Sequence, residues 1–130
     1  MSHSQWRSVV IVILRLLITL VFAAAIVPKF QHPAIWAHLF TTWGYPAWGP
    51  PVVSTVEIIG LAALWIPAVA IWGSAVLLIT TAGATVTWLL NGPRIAATLP
   101  GALFAFVVTL AWLQRADTRA ASGRLFELTH

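Results

Sequence analysis

Residues 8–27 decide what this chain can fold into: they are twenty consecutive positions with a single charge, Arg15. A helix rises ~1.5 Å per residue, so about twenty residues cross the ~30 Å hydrocarbon core of a bilayer. Three more apolar runs follow, at 51–66, 70–91 and 95–113. Hydrophobic residues make up 60% of the 130 positions and charged residues only 8%, where soluble domains carry roughly 25% charged residues. A soluble fold of this size would expose apolar patches far larger than the few hundred Å² that soluble monomers tolerate. The sequence therefore predicts an all-α integral membrane protein. It reads as one domain over 1–130, a bundle of four transmembrane helices followed by a polar, basic, partly ordered tail at 114–130.

Proline and glycine punctuate the spans. Pro28 is expected to end the first helix. The connection at 28–51 carries Gly44-Tyr45-Pro46 and Trp48-Gly49-Pro50-Pro51, which are turn signals. Inside it, Ile35, Trp36, Leu39, Phe40 and Trp43 recur at helical spacing, so residues 33–42 read as a short amphipathic helix on the membrane surface. Pro50-Pro51 suits the first turn of the second span, which ends before Pro67 and is short for a bilayer. Asn91-Gly92-Pro93 separates the third and fourth spans, and Pro100 marks the first turn of the fourth or bends it. All eight tryptophans fall near span ends or in the first loop, the distribution of an aromatic belt.

Basic residues set the orientation. Arg7, Arg115, Arg119 and Arg124 lie on the side of the termini, and Lys29 and Arg94 on the other, so both termini are expected in the cytoplasm and the first loop outside. Arg7 before an apolar run, with Ala23-Ala24-Ala25 after it, has the outline of a signal peptide. The length of the run and Arg15 within it favour a retained first helix.

Several function classes drop out. The net charge of +4 is spread along the chain and accompanies no nucleic-acid motif, so no nucleic-acid partner is expected. The absence of cysteine excludes dithiol redox chemistry and thiolate metal sites. His3, His32, His38 and His130 all lie outside the spans, which argues against a haem ligated within the bilayer. His32 and His38 have no carboxylate close by in sequence and read as solvated interfacial residues, not a metal site. No nucleophile–base pair or cofactor motif is visible, so no catalytic residue is assigned and an enzyme acting alone is not expected.

Two ionisable residues fall inside spans, Arg15 and Glu57. Each costs about 2.5–3.5 kcal/mol on insertion scales, so each should face the bundle interior and find a partner. Their backbones should differ in height by roughly 10 Å. Lys29 stands at the outer end of the first helix, and Arg15, Thr19, Phe22, Ile26 and Lys29 share one helical stripe. Arg15, Lys29 and Glu57 are therefore expected to form one buried polar network. It is either a structural ion pair that fixes helix register or a site for a headgroup or a proton. Thr80, Ala84, Thr87 and Asn91 share a face of the third span, where small and hydroxyl residues suit helix packing. Phe22, Trp43, Tyr45, Thr87 and Asn91 are the candidate pocket lining around the network.

Arg15, then Pro28-Lys29-Phe30, Trp43-Gly44-Tyr45-Pro46, Val56-Glu57-Ile58-Ile59-Gly60 and Gly83-Ala84 together resemble the DoxX family of small four-helix bacterial membrane proteins. The resemblance covers about residues 10–113. It implies a bacterial plasma (inner) membrane location and association with redox systems, since relatives include a subunit of a thiosulfate:quinone oxidoreductase. On that footing the first expectation is a non-catalytic or quinone-facing accessory subunit, with quinone or lipid in the pocket and no covalently bound cofactor. The alternative is a purely structural subunit that docks to larger membrane partners or to copies of itself. A small-molecule exporter ranks third, because the chain shows no inverted repeat.

Overall fold

The computed structural model describes residues 2–128, with side chains described as far as Arg115. Among the described residues the backbone is helical throughout, with no strand. Five α-helices follow in order: α1 (His3–Gln31), α2 (Pro33–Thr42), α3 (Gly49–Leu64), α4 (Ala70–Asn91) and α5 (Thr98–Leu128), the last preceded by a single 3-10 turn, Arg94–Ala97.

α1 starts with a reciprocal cap. The Ser2 hydroxyl accepts from the Gln5 amide at 3.3 Å, and the Gln5 side chain accepts from the Ser2 amide at 2.8 Å. Pro28 does not end this helix, contrary to the sequence reading. A proline disturbs the turn before it, not the one after it. α1 therefore runs one more turn to Gln31 and stops where the His32 amide bonds the Pro28 carbonyl at 2.8 Å. Pro33 then opens α2 at its first position. α2 closes on Gly44, whose φ of +88° favours a residue without Cβ and turns the chain back so that the Tyr45 amide reaches the Phe40 carbonyl at 2.8 Å.

Pro50 and Pro51 occupy the first turn of α3. α3 and α4 approach closely at Gly73, where a Cβ would stand 2.6 Å from the Gly60 carbonyl oxygen and 2.8 Å from the Ala63 Cβ. α5 also departs from the expected tail. The helix continues through 114–128, where a partly ordered segment was predicted. The last apolar turn of α5 leads straight on without a breaker before Gly123. The side chains of Arg119 and Arg124, and all of His130, lie outside the described residues.

α1, α3, α4 and α5 pack around one core, and α2 caps α1 and α3 at the end away from the termini. Ile11, Ile18, Phe22 and Ile26 give the inward stripe of α1, meeting Leu61 and Leu64 of α3, Leu77 of α4 and Leu103, Val107 and Leu110 of α5. Large apolar side chains such as Leu20, Ile59, Ile79 and Leu90 point outward. Such an apolar exterior is stable in lipid and unstable in water.

Candidate functional site

The bundle is packed differently at its two ends. Near the termini the core is filled. Ile18, Leu64, Leu77, Val107 and Leu110 have no exposed surface there. At the opposite end, under α2, the helices line a half-open cavity of about 530 Å³. That volume falls within the ~300–1,000 Å³ range of small-molecule sites.

Every helix contributes to the wall. α1 supplies Phe22, Ala24, Ala25, Pro28 and Lys29; α2 lays Trp36 and Phe40 over the top. Trp43 and Tyr45 come from the turn after α2, Val53 and Glu57 from α3, and Thr80, Thr81, Gly83, Ala84, Thr87 and Trp88 from α4. Leu99, Pro100 and Leu103 of α5 close the far side. Residues 36, 40 and 43 fall one turn apart, so one face of α2 and its cap turns to the cavity while Ile35 faces away, 59% exposed. The aromatic roof is tied together: Phe40 lies 5.8 Å from both Trp43 and Tyr45, and Trp43 meets Trp88 edge-on at 5.0 Å. Each of these centroid separations is within the 4.5–7 Å of a favourable aromatic pair.

Polar groups are few. Lys29 Nζ stands 3.8 Å from Glu57 Oε1, and its ammonium lies 5.6 Å from the centroid of the Trp36 ring. Both side chains are largely covered, at 13% and 7% exposure. The extra turn of α1 beyond Pro28 carries Lys29 to this position. At the opposite wall Tyr45 Oη and Thr87 Oγ1 are 2.9 Å apart.

The expected trio is not one cluster. Arg15 lies fourteen residues before Lys29 on α1, about 21 Å along the axis. There its guanidinium lies 5.6 Å from the centroid of the Trp65 ring. The amide of Gln114, oriented with its oxygen toward Arg15, accepts from Nη2 at 2.5 Å and Nε at 2.6 Å. The indole N–H of Trp65 donates to Thr19 at 3.1 Å. Gln114 is fully buried and gives Arg15 an acceptor at its own height. The sequence reading assigned Gln114 to the tail and missed it. Its spacing from Val107 and Leu110 places it on their inward face and was the available signal.

The cavity wall includes four of the five candidate lining residues, Phe22, Trp43, Tyr45 and Thr87. Asn91 stands outside it and donates to the Thr87 carbonyl at 3.1 Å. Among the described residues no group of His, Asp and Glu is placed to hold a metal.

A sequence profile of the DoxX-like family matches residues 13–110, three quarters of the chain and all of the cavity wall. The chain belongs to the DoxX-like family. Neither the curated proteins nor the solved structures provide a match. As a DoxX-like protein it is a multi-pass membrane protein. His3–Gln31, Ala70–Asn91 and Arg94–Arg115 are each long and apolar enough to cross a bilayer, and Gly49–Leu64 is a shorter apolar helix. In the DoxX-like chain Gln114 falls just beyond the matched range, whereas Lys29, Tyr45, Glu57 and Thr87 all fall inside it.

Proposed function

We propose that this DoxX-like protein is an accessory subunit of a redox complex in the bacterial inner membrane, and that its cavity holds a quinone-class or similar amphipathic molecule. The observation that carries the reading is the cavity itself: unfilled volume, aromatic walls and a covered ion pair between Lys29 and Glu57. The core layer around Ile18, Leu64 and Leu77 is close-packed, whereas this end leaves a half-open space lined mostly by apolar side chains. Intramembrane ionisable side chains facing a cavity mark ligand or ion sites. In this reading α3 is a fourth span, made sufficient by local thinning and by the capping of α2 at the interface. Arg7 and Arg115 face the cytoplasm, so the cavity opens toward the outer leaflet.

The test is purification in mild detergent, followed by mass spectrometry of bound small molecules and proteins. Wild type should retain an amphipathic ligand, and Glu57→Gln, which keeps shape and removes charge, should lose it while the helices stay folded by circular dichroism. If Glu57→Gln lowers the melting temperature and neither protein carries a ligand, the ion pair is architectural and the chain is an assembly subunit.

A further inference from the structure

The hydrogen-bond directions in the cavity restrict what its occupant presents. Thr87 Oγ1 lies 2.7 Å from the Gly83 carbonyl oxygen. A carbonyl oxygen only accepts, so the one hydroxyl hydrogen of Thr87 is committed there. The 2.9 Å contact between Thr87 and Tyr45 must then be donated by the Tyr45 hydroxyl. In the opposite arrangement the Thr87 and Gly83 oxygens would face each other with no hydrogen between them. Tyr45 is thus left with lone pairs and no hydrogen for the cavity. The neighbouring hydroxyls on α4 behave alike: Thr80 donates to the Leu77 carbonyl at 3.1 Å and Thr81 to the same carbonyl at 2.8 Å. Glu57 adds a carboxylate, and Lys29 is turned to that carboxylate and to Trp36. Apart from the Lys29 ammonium and the indole N–H groups of the roof, the polar lining of the cavity presents oxygen acceptors.

Resting on the reading that the cavity holds an amphipathic ligand, we infer that the Tyr45–Thr87 corner selects an aromatic ring bearing a hydroxyl, a phenol or hydroquinone, over the corresponding carbonyl compound. A ring hydroxyl donates to Tyr45 Oη without disturbing the Tyr45-to-Thr87 bond. A carbonyl oxygen at the same place meets lone pairs, or takes the Tyr45 hydrogen only by breaking that bond. The flat ring matches the walls set by Phe40, Trp43 and Trp88. A membrane quinone pool would then be bound in its reduced form.

The experiment uses the full chain in lipid nanodiscs under anaerobic conditions. Three probes share one scaffold: a decyl hydroquinone, its benzoquinone and its dimethyl ether, with binding read from quenching of tryptophan fluorescence. The hydroquinone should bind about tenfold tighter than the other two, the scale of one net hydrogen bond. Thr87→Val removes the acceptor of Tyr45 and frees its hydrogen for the cavity, so the benzoquinone should gain affinity and the preference for the hydroquinone should be lost. Tyr45→Phe should bring the three probes within about threefold of each other, and it serves as the check if Thr87→Val fails to fold. Equal or tighter binding of the benzoquinone by wild type overturns the selection and leaves the ligand site standing. If none of the three binds, the selection falls together with the proposed ligand site.

Discussion

Each end of the bundle holds a partly buried cation from the same stripe of α1, and the two ends treat it differently. Arg15 meets the Gln114 amide and the Trp65 ring beside the close-packed core. Lys29 is held by a carboxylate beside unfilled volume. A guanidinium held against a packed core ties neighbouring helices together. An ion pair beside a cavity keeps its outer face available, so a ligand can join it without dismantling the core. On the proposed reading the first is a register device and the second a site, although both look alike as isolated charges in apolar runs.

The largest expected effect comes from Glu57→Ala. Removing the carboxylate leaves Lys29 unpaired in a largely covered position and should cost about 3–5 kcal/mol, the scale for breaking a buried pair. Denaturation in mixed micelles measures it. The double variant with Lys29→Met should cost less than the sum of the two single losses. Strict additivity would show that the pair is not coupled. Gln114→Leu comes next. It takes two hydrogen bonds from a guanidinium and should cost about 2–3 kcal/mol, with no change in any ligand retained by the cavity. A Gln114 variant that loses ligand while staying folded would erase the distinction between the two ends. The smallest effect is a gain. Ser74 is fully buried with a hydroxyl that has no hydrogen-bond partner, and Ser74→Ala should raise stability by about 1 kcal/mol.

The helical map was readable because lipid enforces it. Apolar length shows the runs in α1, α4 and α5, and prolines at the start of α2 and α3 place their first turns to within two residues. Pro33 and the apolar repeat at 35, 36, 39 and 40 were enough to outline α2 over Pro33–Thr42. Partnerships were harder. Glu57 was matched with two cations because Arg15 and Lys29 share one stripe of α1, and the expected height difference of roughly 10 Å between Arg15 and Glu57 looked bridgeable by their side chains. Height separates the two cations by about 21 Å along α1. The acceptor that claims Arg15 is an uncharged glutamine beyond the last apolar run, and neutral partners leave no mark on a search for opposite charges. The Tyr45–Thr87 contact joins residues 42 positions apart. It depends on the tight turn at Gly44, whose sequence signal says that the chain reverses but not which residue on α4 it will meet.

Pro28 has a mechanical consequence. It lacks the amide hydrogen that the Ala24 carbonyl would receive in an unbroken helix, so the ladder of α1 misses one rung just below the turn that carries Lys29. That rung is missing within the cavity wall, where Ala24, Ala25 and Pro28 stand side by side. The tip of α1 is thereby a joint: it can flex without loosening the stripe from Ile11 to Ile26. α2 opens two residues beyond the end of α1, so any movement at that joint would carry α2 with it.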